Sequence, residues 1–221
     1  MSPGAAAEAG VSEPASAASS RDRILDAACE VIAEVGIDEV RIARIARAAG
    51  VSTALVHYHF DTREALLGEA LEHSFELAGA VRMREEGDDQ EGGTAARRLA
   101  DAIDSCLPWP GVLERDWVLW VELWLRAVRN PTLQPVAARL YERYRAWLEK
   151  PIAEGVRSGE FERCDPGDLA DRAMALVDGY SVRALLGDPA MDLRAARTAI
   201  GAALAPELGL ERLPFARRVP S

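Results

Sequence analysis

Along most of the chain the hydrophobic positions recur at helical spacing. Ile24, Leu25, Ala28, Val31, Ile32 and Val35 form one apolar stripe that Gly36 brings to a stop. Ser19 or Ser20 stands where a cap for that helix belongs, with Asp22 in its electropositive first turn. From Glu39 to Phe60 the pattern shortens into two brief helices. Ile42, Ile45, Ala46 and Ala49 mark the inner face of the first, at i, i+3, i+4 and i+7. Gly50 is suited to the left-handed backbone that lets a chain leave one helix and turn into the next. Ser52 or Thr53 then caps the second helix, and Val56 and Phe60 close a small core. Thr53, Ala54, His57 and Tyr58 are left on its outer face. Two helices, a glycine turn and such a face predict a helix-turn-helix that reads DNA.

Beyond this unit, Asp61 and Glu64 have the spacing of a capping box. The helix they open carries Leu66, Leu67, Ala70, Leu71 and Leu77 to about Met83, and Gly87 to Gly93 reads as a loop. Thr94 starts a helix through Leu99 and Ile103, which stops at Leu107-Pro-Trp-Pro-Gly111. Asp116 caps or precedes a stripe of Trp117, Trp120, Val121, Trp124, Leu125 and Val128. Glu122, Arg126 and Arg129 on the other face predict an exposed ion-pair ladder. After Asn130-Pro131, the next helix turns Leu133, Ala137, Leu140, Tyr144, Trp147 and Leu148 inward. Pro151 predicts a kink or break in it before Gly155. Asp165-Pro-Gly-Asp168 opens a helix with two apolar faces, one of Leu169, Ala173, Leu176, Val177, Tyr180 and Ala184, the other of Ala170, Met174, Ser181 and Leu185. A last helix, about 192–208, is rich in alanine. Small residues and a second apolar face predict that these two helices build a four-helix dimer bundle with a second copy.

Composition narrows the function. The net charge of −10 argues against indiscriminate binding of nucleic acid through bulk charge, yet from Arg41 to Arg63 the charges are Arg41, Arg44, Arg47 and Arg63 against Asp61 alone, with two histidines besides. The three cysteines are far apart, which suggests neither a disulfide framework nor a CxxC metal site and fits a reducing cytoplasm. Residues 1–20 lack the features of a signal peptide and read as a disordered tail, residues 213–221 as a frayed end, and no run reaches the length of a membrane span. No GxSxG, HExxH or phosphate loop after a strand is present, so an enzyme is not expected, nor a cofactor. His57 and His59 at i, i+2 do not face each other on a helix, so no metal is expected there.

Gly36, Ile45-Ala-Arg-Ala-Ala-Gly-Val-Ser52, Tyr58-His-Phe60 and Arg63-Glu-Ala-Leu66 resemble the head of the TetR family of bacterial one-component regulators. Trp117 to Pro131, Tyr141 to Trp147, Gly159-Glu-Phe161, Asp178-Gly179 and Arg183 to Asp188 are similar to the carboxy-terminal domain of choline-responsive BetI-type members. The resemblance implies an all-α chain with a three-helix helix-turn-helix head at 21–81 (motif about 44–63) and a larger helical ligand-binding and dimerisation domain at 82–212. It implies a homodimeric repressor released from a palindromic operator by a small-molecule effector. An activator of the same fold, or a helical protein-interaction module, is the alternative. Carried over by position, Thr53, Ala54 and His57 face base edges, while Ser52, Tyr58, His59 and Arg63 hold phosphates. Arg41 and Arg44 add contacts. Three positions depart from the family's habit: His57 for Tyr, Arg63 for Lys, and Arg41 for a capping Thr.

The tryptophans leave two readings open. Trp117, Trp120 and Trp124, with Tyr141, Tyr144 and Trp147, and Met174 nearby, either pack as core or line an aromatic cage for a cation. Asp178, on a mostly apolar helix, is the natural anion for that cation, or else a partner for Arg183.

Overall fold

The computed structural model describes residues 19–85 and 93–216, all helix and connecting turns among those residues. The expected amino-terminal tail and the expected loop at Gly87–Gly93 lie almost wholly outside them. Helix α1 (Ser20–Glu39) begins at a Ser19 cap that exchanges hydrogen bonds with Asp22. Its regular geometry ends at Gly36, where φ is 74°. Helices α2 (Ile42–Ala48) and α3 (Thr53–His59) follow, with Gly50 left-handed between them at φ 66° and the Ser52 hydroxyl accepting from the Leu55 amide at 3.1 Å. Ile24, Ile32, Ile45, Val56, Phe60 and Leu66 are almost wholly buried together, and their core fixes the three helices against the start of α4 (Arg63–Glu85).

The larger part comprises α5 (Ala95–Ser105), α6 (Val112–Ala127), α7 (Gln134–Ser158), α8 (Pro166–Leu185) and α9 (Leu193–Leu204), with short 3-10 turns before α7 and after α9. Helix α7 packs between α5 and α8, α9 lies on α8, and α6 rests on both α4 and α1. Glu160, after α7, binds the free amides of Ala95 and Ala96 at the start of α5, at 2.7 Å each. Helix α4 runs unbroken through position 81, where the sequence divides the chain.

Several local expectations are corrected. Thr62, not Asp61, caps α4, its hydroxyl accepting from the Ala65 amide at 3.0 Å. Asp116 does not cap α6, which starts at Val112; it is buried within the helix and accepts from the Ser74 hydroxyl of α4 at 3.0 Å. Glu122 and Arg126 form no ladder along α6. They reach α1 instead, Glu122 accepting from the Ile37 amide at 3.1 Å and Arg126 pairing with Asp38. Pro151 does not break α7, which continues to Ser158 and ends at left-handed Gly159. Pro151 lies buried on the helix's inner side, and only one intrahelical bond is forfeited by its missing N–H. The carboxy-terminal end is not wholly frayed: Leu213 is buried, and Phe215 packs over Gly201, where an added Cβ would stand 2.7 Å from its ring. The last helix gives way to 3-10 geometry at Ala205 rather than running regularly to Leu208.

Candidate functional site

The head presents its outer face at α3. Thr53, Ala54 and His57 are exposed, and Tyr58 is 80% exposed, while Val56 between them is fully buried. This is the division the short helix predicts, because Val56 and Phe60 alone point inward. His59 is half-buried, its ring edge-on to Tyr58 at 5.2 Å. Arg41 is exposed at the start of α2, and Arg44, also exposed, pairs with Glu34 at 2.9 Å.

Arg63 makes contacts within the head that the sequence does not reveal. Its guanidinium donates to the Ile37 carbonyl, and from Nε to the Val40 carbonyl at 3.2 Å. It thereby satisfies the turn that follows the break in α1. The planar guanidinium presents donors in a fixed fork that spans two separated carbonyls, a geometry that the compact ammonium of lysine does not pre-set. Arg63 thus forms a latch within the head.

In the larger part, Phe75 of α4, Cys106 at the end of α5, Trp117 and Trp120 of α6, Tyr141 and Tyr144 of α7 and Asp178 of α8 line a small cavity. Trp117 is oriented by its indole N–H, which donates to the Cys106 carbonyl at 2.7 Å. Trp120 meets Phe75 at 6.2 Å and Tyr141 at 5.2 Å, both steeply tilted. Trp124 lies behind these rings rather than on the lining, stacked parallel to Tyr141 at 6.4 Å and edge-on to Trp117 at 5.9 Å. Neither Trp147 nor Met174 reaches the cavity. Phe75 and Cys106 were not expected there. Phe75 continues the Leu67, Leu71 stripe of α4, which the sequence offers only as core.

Asp178 is the one acidic group on this lining. Tyr141 donates its hydroxyl to it at 3.0 Å. Burial pushes its carboxyl up to about 6, against a smaller opposing effect of the tyrosine bond. The same burial, and the negative carboxylate beside it, raises the Tyr141 phenol above its ordinary range, so it stays a hydrogen-bond donor. Arg183 does not serve Asp178; it pairs with Asp188 at 2.7 Å in the turn after α8. Among the described residues no arginine or lysine pairs with Asp178. No three His, Cys, Asp or Glu side chains among them gather as a metal site, and no helix is long and apolar enough to cross a membrane.

Away from the cavity, α8 and α9 expose small residues, Ala175 and Gly179 on one and Ala202 and Ala203 on the other. Leu186, at the end of α8, is 80% exposed beside them.

Comparison with known proteins places both parts. The family of bacterial regulatory proteins of the tetR type matches residues 24–70, and the carboxy-terminal family of BetI-type transcriptional repressors matches residues 95–209. The BetI regulator of Escherichia coli O17:K52:H18 is 30% identical over 176 residues, covering 78% of this chain and 85% of that protein. A transcriptional regulator from Saccharomonospora viridis, solved in complex with choline, superposes with a TM-score of 0.71 at 31% identity, covering 81% of this chain and 92% of that one. A TetR-family regulator from Rhodococcus sp. gives a TM-score of 0.74 at 30% identity, with 86% and 98% covered. An exposed recognition helix, a cavity in a separate helical body and these matches lead to one conclusion: the chain belongs to the TetR family, a ligand-responsive, DNA-binding transcriptional regulator with a BetI-type carboxy-terminal domain.

Proposed function

We propose that this regulator is a homodimeric repressor, released from a palindromic operator when a small organic cation occupies the aromatic cavity beside Asp178. The observation that carries the effector class is a desolvated carboxylate among aromatic rings with no basic partner among the described residues. A buried anion of that kind is costly when unpaired, and an organic cation both neutralises it and meets the negative faces of Trp and Tyr rings. Choline in the Saccharomonospora viridis relative supports the same class. The protein acts by binding and carries out no reaction, in the cytoplasm where operator DNA is found.

Two copies join through α8 and α9. The exposed alanines and Gly179 allow backbones to approach closely, and Leu186 supplies an apolar contact at the edge. The paired heads then meet successive major grooves about one helical turn apart, roughly 34–36 Å or a multiple of it. Thr53, Ala54 and His57 read base edges, while Ser52, Tyr58, His59, Arg41 and Arg44 hold the backbone.

Calorimetry with choline tests the effector class: wild-type protein binds, and Asp178→Asn and Trp120→Ala each weaken binding at least tenfold. Equal binding by all three proteins would reject the cavity as the site. Sedimentation of Ala203→Arg tests the dimer, because a guanidinium forced into a close helix contact should yield monomer. A footprint on one unsymmetrical half-site would count against the paired heads.

A further inference from the structure

Helix α6 has two working faces. Trp117, Trp120 and Trp124, at i, i+3 and i+7, look toward the cavity or its supporting rings. Arg115, Glu122 and Arg126, each two residues from one of these and so roughly 160° around the helix, look toward α1. Arg115 stands 3.8 Å from Glu30, and Arg126 holds the exposed Asp38 carboxyl below its usual range. Glu122 makes a different kind of contact. Gly36 breaks the helical ladder of α1, and the Ile37 amide just beyond it is bound by Glu122 Oε2 at 3.1 Å. Glycine is favoured there by its φ of 74°, and an added Cβ, 3.3 Å from Glu122 Oε1, would also press on the carboxylate. The carbonyl of the same residue, Ile37, is bound by Arg63. Arg63 lies only three positions beyond Phe60, the residue that closes α3. A continuous polar path thus runs from α6 through Ile37 to Arg63, which follows the end of the recognition helix by three residues.

We propose that Glu122 is the positioning residue that couples the cavity to the DNA-reading head, passing displacement of the aromatic face of α6 directly to α1. The proposal rests on the reading of the cavity as the effector site. Exposed ion pairs such as Arg115–Glu30 are weak and easily exchanged for water. A carboxylate on a half-buried backbone amide is stronger and fixes position, since the amide cannot rotate away from its own chain. The competing route is α4, which reaches α6 through Ser74 and Asp116.

The test is amide and indole NMR of the full-length protein titrated with tetramethylammonium. In the wild type, the indole signals of Trp117 and Trp120 shift together with the amides of Ile37 and of Thr53–His59, at one midpoint. In Glu122→Ala the indoles shift with a midpoint within twofold of wild type, while the head amides lose at least four-fifths of their response. Glu122→Gln, whose amide oxygen still accepts, restores it. Head shifts undiminished in Glu122→Ala overturn the proposal in favour of α4. If the indoles never move, the cation reading fails by itself, and Trp120→Phe replaces the cation as the perturbation of the same face. Head amides that then differ between Trp120→Phe and wild type, but not when both carry Glu122→Ala, support the coupling; equal differences, or none, overturn it.

Discussion

Tyr141 and Asp178 share one hydrogen bond, 3.0 Å long, across a cavity that holds the carboxylate out of water. Because burial raises the Asp178 carboxyl from 3.8 to about 6, the folded protein binds its proton more tightly than the unfolded chain does. The sign follows. The group costs nothing below about pH 4, its cost grows between about pH 4 and 6, and above that it is complete at roughly 3 kcal/mol. Asp178→Asn should therefore stabilise the ligand-free protein at pH 7.5 by up to about 3 kcal/mol in urea denaturation, with no gain at pH 4. The same variant should lose its cation affinity. Wild-type affinity should fall about tenfold per pH unit below 6, measured by calorimetry between pH 5 and 8.

Arg63→Ala should destabilise the head before it weakens any DNA contact. Its charged donors serve the Ile37 and Val40 carbonyls; a bond to a charged group is worth about 1.5–3 kcal/mol, and exchange with water at this one-third exposed side chain keeps the pair from adding in full. A loss of about 1–3 kcal/mol by chemical denaturation is expected, with Arg63→Lys recovering part of it. Wild-type stability in Arg63→Ala would show that the latch is idle.

On the recognition helix, Thr53→Ala and His57→Ala should change which sequences are selected from a random DNA pool. Arg41→Ala and Arg44→Ala should instead weaken binding to all sequences alike. Each should also flatten the salt dependence, by a slope of about 1 for every phosphate that the variant no longer neutralises. A changed sequence preference in the arginine variants would reverse these assignments.

Gly155→Ala tests the packing of α7. The added Cβ would stand 2.2 Å from the ring of Phe161, a buried residue, so something must move. A loss of about 1–3 kcal/mol is expected. Phe161→Leu in the same chain should recover part of it, and the two changes should not add.

What the sequence made legible is what short-range rules govern. Gly36, Gly50 and Ser52 stand where turn and cap chemistry requires them, and the inward Val56 and Phe60 follow from helical period alone. The misreadings share a cause. Glu122 and Arg126 look like neighbours one turn apart on an exposed face, yet their partners lie more than eighty positions earlier in the chain. Asp116 resembles a cap because nothing local reveals Ser74 beside it. The cavity shows the same limit. Trp117, Trp120, Tyr141, Tyr144 and Asp178 do come together, but five helices have to be docked before Phe75 and Cys106 can be seen to join them and Trp147 and Met174 to turn elsewhere.

The contact at Gly36 bears on how such proteins can be recombined. A head transplanted from a relative would meet this effector body through a backbone amide, a carboxylate at position 122 and an oppositely charged pair at 38 and 126. The amide comes with any residue but proline, whereas the glycine before it and the charge at position 38 depend on the donor's own sequence. A working chimera is therefore expected from donors that keep both, irrespective of their overall identity to this chain, and grafts lacking them should bind DNA yet ignore the effector.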